Sequence, residues 1–243
     1  MEDVFGAPFS NETVVWRSEP ATRGTFTLLS TSVITLLLCV WSSIHLNLPG
    51  SNTDPFASFL RRLKWISIGL FIPEVLVVTA LDQYARAREI TREANATFRW
   101  DDDEHDQEQQ LHRRQHPWTK THSFWAMMGG IAADVSQHEQ FLPKDCRPLF
   151  TSSGVSLLMR HEPDLIPDFP EDEIKDRSKG GSLAKFLACV QATWFCATCI
   201  GRVVQRLPLS QLELNTFAHA LCTVIVYVLW WRKPLDVATP LIV

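Results

Sequence analysis

Apolar residues gather into four runs along this chain, separated by strongly polar stretches. The first, 26–48, carries no formal charge. The second, 65–81, is shorter and holds Glu74 near its middle. The third runs from about 185 to 204, and the fourth, 214–231, lies between Glu213 and Arg232. A bilayer core of about 30 Å takes roughly 20 mostly apolar helical residues, with a lower limit near 17. Each run therefore predicts a transmembrane helix. A core helix of a soluble protein is usually shorter and keeps a polar stripe. The run boundaries agree: Trp230-Trp231-Arg232-Lys233 reads as an aromatic belt followed by snorkelling cations, and Trp65 behind Arg61, Arg62 and Lys64 repeats the arrangement.

A fifth apolar stretch, 123–135, is too short to span and contains Met127-Met128-Gly129-Gly130, which permits close packing. It reads as an interfacial or re-entrant helix. The expected fold is all-α: a small transmembrane bundle of four spans, five if 123–135 crosses, with two long polar loops. Residues 1–25 form a polar tail and 26–243 a single membrane domain. In the first loop, helix continues from Asp82 to Asn95 and then gives way to a low-apolarity run that reads as solvated and flexible. In the second, 149–161 fits a short amphipathic helix or a hairpin, and 168–179 is a polar approach to the third span.

Composition alone conceals this segregation. The 243 residues are 46% hydrophobic and 21% charged with a net charge of -4, and the mean hydropathy is -0.02. The mildly acidic balance argues against nucleic acid as a partner. Orientation is contested by the charges. Arg61, Arg62 and Lys64, and separately Arg202 and Arg206, mark two short connections as cytoplasmic, which puts the N-terminal segment outside. There Asn11 and Asn95 read as glycosylation sequons. Arg86, Arg88, Arg92, Lys175, Arg177 and Lys179 pull the intervening long stretch to the cytoplasmic side instead.

Chemistry is sparse. Residues 102–106 fit the DDxxD pattern of diphosphate-binding magnesium sites, but a dense acidic run matches it easily and no apolar pocket residues surround it. His105, His112, His116 and His122 share one loop; the i, i+4 pair His112 and His116 lacks an intervening glutamate. Cys196 and Cys199 form a CxxC inside an apolar helix, where small residues serve packing. Neither metal nor cofactor is expected. Glu74 stands out. An ionised carboxylate at the bilayer centre costs on the order of 3 kcal/mol, so Glu74 is expected inside the bundle, bonded to His45, Gln191, Arg202 or His219. Pro73 beside it should kink the helix.

Several segments carry a resemblance: 41–49 (WSSIHLNLP), 118–130 (WTKTHSFWAMMGG), 173–179 (EIKDRSK), 191–194 (QATW) with 207–214 (LPLSQLEL), and 230–237 (WWRKPLDV). Together the set resembles a large family of filamentous-fungal multi-pass membrane proteins, some encoded near secondary-metabolite genes. The resemblance implies a multi-pass location, in an endomembrane or the plasma membrane, and carries no catalytic residues. The expected role is an accessory or scaffold protein of a fungal endomembrane pathway, with membrane lipids, other membrane proteins or pathway enzymes as partners. The alternatives are a membrane enzyme on a lipophilic substrate, such as a terpenoid cyclase with Glu74 as proton donor, and a small transporter.

Overall fold

The computed structural model describes residues 24–45, 47–48, 54–100, 113–133, 148–178, 182–234, 237 and 240–242. Among these the elements run α1 (Thr25–Ser43), α2 (Pro55–Phe71), α3 (Pro73–Thr97), β1 (Arg99–Trp100), β2 (Arg113–Arg114), α4 (Lys120–Met127), β3 (Ile131–Ala132), α5 (Ser152–His161), α6 (Glu171–Arg177), α7 (Ser182–Val204), α8 (Gln211–Leu229) and β4 (Leu241–Ile242). The strands form only two-residue parallel ladders, β1 with β2 and β3 with β4. The fold is all-α.

Three helices, α1, α7 and α8, are long and apolar enough to cross a membrane. They pack on one another through small side chains: Cys39, Ala192, Cys196 and Ala220 are buried together. Their outer faces remain apolar, with Leu37, Trp41, Trp194, Val204, Val228 and Trp231 exposed. A soluble surface does not carry an apolar patch of that extent. The turn into α8 is set locally, since Ser210 and Glu213 form a reciprocal capping box.

The second predicted span is not one helix. Asp54 caps α2 by accepting the Phe56 N–H at 3.2 Å, and Pro55 occupies its first turn. α2 then ends at Phe71, because Pro73 lacks an N–H and disfavours helical backbone at Ile72. The chain restarts as α3, turned through 111°. The carbonyl of Leu70, orphaned at the α2 terminus, accepts the His219 Nε2–H at 2.8 Å. The break, expected as a kink, is thus an elbow held by α8. Both arms of the elbow return to the same end of the bundle. From α2, Arg61 Nη2 donates to the Asn47 carbonyl, 3.2 Å away beyond the end of α1. From α3, Gln83 accepts from Lys233, beyond the end of α8, at 2.8 Å.

The described parts of the two polar stretches expected as loops instead build a folded lobe beyond that end. The second half of α3 packs against α4 and α5, around a core that includes Ile90, Trp118, Trp125, Val155, Met159 and Ile174. Among the described residues of the lobe, only Leu157 and Leu165 are large apolar side chains left exposed. The stretch expected as an interfacial or re-entrant helix is the lobe's interior. α4 spans 8 residues, with Thr121 to Ala126 all buried, which is too short to cross a membrane and has no lipid-facing side. Gly129 sits at φ 86°, a left-handed conformation that a side chain would strain, and ends the helix. Met128 O then accepts the Leu48 N–H at 3.0 Å, tying the lobe to the segment leaving α1.

Candidate functional site

A cavity of about 200 Å³ opens where the bundle meets the lobe. Four elements build it. The segment after α1 contributes Ile44, His45 and Asn47. On α2, Arg61 and Trp65 lie one helical turn apart and so share a face. On α3, Leu76, Thr79 and Gln83 follow the i, i+3, i+7 stripe. Trp230, just past α8, closes the fourth side.

The electrostatics favour an anion. None of the lining residues is acidic. Arg61 spends one nitrogen on the Asn47 carbonyl, while its buried Nε has no hydrogen-bond acceptor among the described residues. The indole N–H of Trp230 is likewise buried without an acceptor there. Behind the wall, the Lys233 ammonium donates to the His45 carbonyl at 3.0 Å and to Gln83 Oε1 at 2.8 Å, and lies 4.2 Å from the centre of the Trp230 ring. Lys233 does not snorkel outward as the belt pattern suggested; it is 1% exposed. His45 stacks edge-on against Trp230 at 5.0 Å.

Glu74 is not brought to this cavity. It is exposed on the first turn of α3, and its expected partners are engaged elsewhere. His45 Nδ1 donates to the Ser43 carbonyl at 3.2 Å. Gln191 donates to Thr35 Oγ1 at 3.1 Å. Arg202 donates to the Pro208 carbonyl at 3.1 Å, and His219 serves Leu70. The physical reason lies in the elbow: Glu74 stands in the first turn of α3 rather than inside one continuous helix. A negative charge is favoured there by the helix dipole.

The remaining motifs separate. His116 pairs with Asp168 at 3.3 Å on the lobe surface. His122 is a structural histidine. Its Nδ1 accepts the Thr119 N–H at 3.1 Å, which fixes the tautomer, and its Nε2–H donates to the Phe169 carbonyl at 3.1 Å. Burial pushes its pKa below the ordinary histidine value, against the pull of that carbonyl and of Glu171. Cys196 and Cys199 are both buried. No group of three or more His, Cys, Asp or Glu comes together among the described residues. Asn95 is exposed in the last turn of α3. Asn11, His105, His112 and the acidic run 102–106 lie outside the described residues.

Sequence reasoning passed over Thr79 and Gln83. Thr79 and Gln83, four apart and so on one face of α3, were the available signal. Arg114 was missed because nothing local marks it. It is the lobe's central polar group, stacked 3.6 Å over Phe98 and donating to the carbonyls of Pro167, Pro163 and Ile166.

A family of unknown function, DUF8562, matches residues 3–243. The chain belongs to that family. Comparison with curated proteins and with solved structures gives no match. Family membership therefore assigns no chemistry to the cavity.

Proposed function

We propose that this is a multi-pass membrane protein that serves as an accessory or scaffold, holding a folded lobe against one membrane face. The observation that carries the reading is the elbow. Arg61 and Trp65 of α2 line the same cavity as Thr79 and Gln83 of α3, so the chain enters and leaves on one side and only α1, α7 and α8 cross. The lobe and the end of α8 then share a side, opposite the segment before α1 and the turn between α7 and α8.

This topology removes the conflict among the charges. Arg61, Arg62, Lys64, Lys175, Arg177, Arg232 and Lys233 all fall on the lobe side, against Arg17, Arg23, Arg202 and Arg206 opposite. The positive-inside rule then puts the lobe in the cytoplasm. The resemblance to fungal multi-pass proteins supports an endomembrane pathway, with secondary metabolism as one setting.

The topology predicts that Asn11, but not Asn95, carries glycan when the protein is made in a eukaryotic host. Asn11→Gln should abolish a glycosidase-sensitive mass shift and Asn95→Gln leave it unchanged. Glycan on Asn95 would place the lobe on the opposite side of the membrane and refute the orientation.

The scaffold role is tested at Glu74. Glu74→Gln is expected to cost less than about 1 kcal/mol, the size of a helix-dipole interaction, and to restore full function in a deletion strain. Glu74→Leu should also accumulate normally in membranes, since no hydrogen-bonded partner among the described residues is left behind. Normal accumulation of Glu74→Gln with a missing pathway product would favour an enzyme or a proton-coupled carrier instead.

A further inference from the structure

We propose that the cavity at the bundle–lobe junction is a binding site for the phosphate headgroup of an anionic phospholipid in the lobe-side leaflet. The inference rests on the membrane placement argued above and names what the cavity takes.

Position comes first. The cavity sits at the level of Trp65 and Trp230, where the apolar faces of the bundle give way to the polar lobe. α2 beside it is amphipathic. Phe56, Phe59, Leu60 and Leu63 are exposed, while Arg61, Arg62 and Lys64 stand among them in sequence. That is the composition of a helix whose first half meets a membrane interface, with basic residues near anionic headgroups, before its end at Leu70 reaches His219 midway along α8. Arg62 is braced by stacking 4.3 Å over the Trp41 ring of α1, which fixes α2 against the bundle rather than leaving it free to drift.

The donors come next. Two buried N–H groups on the lining, Arg61 Nε and Trp230 Nε1, have no acceptor among the described residues. Trp230 is 3% exposed, so bulk water does not reach its indole freely. Buried donors in folded proteins find acceptors, and a turn of either lining side chain toward the cavity brings its N–H to a phosphate-diester oxygen. Thr79 and Gln83 add neutral polar groups, and no lining carboxylate repels the anion. Lys233, buried behind Gln83, adds positive potential without occupying the space.

Size decides how much of the lipid enters. A volume of about 200 Å³ falls below the roughly 300–1,000 Å³ of pockets that enclose a whole small-molecule ligand. It admits a phosphate and its glycerol ester. The acyl chains then leave along Ile44, Trp65 and Leu76, which form the apolar part of the lining, into the bilayer beside α2.

The test is native mass spectrometry of the full-length protein in mild detergent, offered an equimolar mixture of dioleoyl phosphatidylglycerol and dioleoyl phosphatidylcholine. Phosphatidylglycerol should be retained in about tenfold preference, the equivalent of one charge-assisted hydrogen bond. Arg61→Gln should reduce that preference several-fold. Trp230→Phe, which keeps an aromatic ring but deletes the pyrrole portion with its N–H, should reduce it as well, so the inference stays testable if Arg61→Gln fails to fold. Arg206→Gln, at the opposite end of the bundle, should leave it unchanged. Thermal-shift titrations with inorganic phosphate and with glycerol 3-phosphate separate the two sources of the anion. Stabilisation by either soluble ion equal to that by the lipid would overturn the lipid assignment. Equal retention of the two lipids, or preference unchanged in both Arg61→Gln and Trp230→Phe, would overturn the site. If lipid preference fails while Asn11 alone is glycosylated, the headgroup site is wrong and the topology stands; glycan on Asn95 removes both.

Discussion

Replacing Arg114 with alanine is expected to destabilise the lobe by about 3–5 kcal/mol, the cost of deleting a buried charged donor from a network that depends on it. The guanidinium is 6% exposed. It donates to Pro167 O at 3.0 Å and to Pro163 O at 3.3 Å, and also bonds Ile166 O. Pro163 O also accepts the Ile166 N–H at 3.2 Å, whereas Ile166 O and Pro167 O lie in a proline-rich strip outside helix and ladder, and Arg114 is their donor among the described residues. Its flat face also covers Phe98 at 3.6 Å. Burial lowers the pKa of Arg114, while Asp168 and Asp164 oppose that shift, and a guanidinium remains charged throughout. For a chain of this size, such a loss lowers the melting temperature on the order of 10 °C. Arg114→Lys should fall between, because an ammonium keeps the charge but not the planar fork. Limited proteolysis read by mass spectrometry should show new cleavage in 113–178, with α7 and α8 still protected. A change below about 1 kcal/mol would mean the strip is held by something other than Arg114.

Gly130→Ala is the second large effect, and its mechanism is steric. A Cβ at Gly130 would stand 2.3 Å from Cδ2 and 2.4 Å from Cε2 of Trp125, and 2.7 Å from the Trp125 carbonyl oxygen. Trp125 cannot move aside. It is 1% exposed and packs edge-on against Phe169 at 5.0 Å. The same carbonyl accepts the Gly130 N–H at 3.0 Å, which holds the two backbones together. Overpacking of this kind costs about 3 kcal/mol or more. Gly129→Ala, at φ 86°, should cost less, about 1–2 kcal/mol of backbone strain. Gly201→Ala provides the contrast: nothing lies within 4 Å of its Cβ position, so the substitution inside α7 should stabilise by about 0.5–1 kcal/mol. Thermal unfolding of the three variants in detergent would rank them, and a Gly130→Ala protein as stable as Gly201→Ala would show that α4 yields where the packing says it cannot.

The apolar helices were legible because hydropathy is additive along a chain. The runs 26–48, 185–204 and 214–231 match α1, α7 and α8 closely, since a helix in lipid needs only length and apolarity. Pro73 was legible as a disruption for an equally local reason. The angle was not, because it depends on where α2 and α3 find partners: Leu70 on His219, and Leu76 among Val40, Thr223 and Val226. Glu74 followed the elbow from expected burial to exposure.

The lobe was hidden by its composition. Its core residues, among them Trp118, Trp125, Val155, Met159 and Ile174, are scattered through acidic and proline-rich sequence, and only the pair Val155 and Met159 in the short helix α5 keeps a helical spacing. They make a core only when the distant segments converge, so the polar average dominated the reading. The cavity shows the same limit more sharply. Arg61, Thr79, Gln83 and Trp230 come from two helices and the position just past a third, and no spacing within the sequence relates them. What the sequence determined by itself was therefore the location of apolar mass, a property of each segment alone. The tertiary structure decided which side each segment returns to and which buried donors meet in one place, because those depend on contacts between segments far apart in the chain.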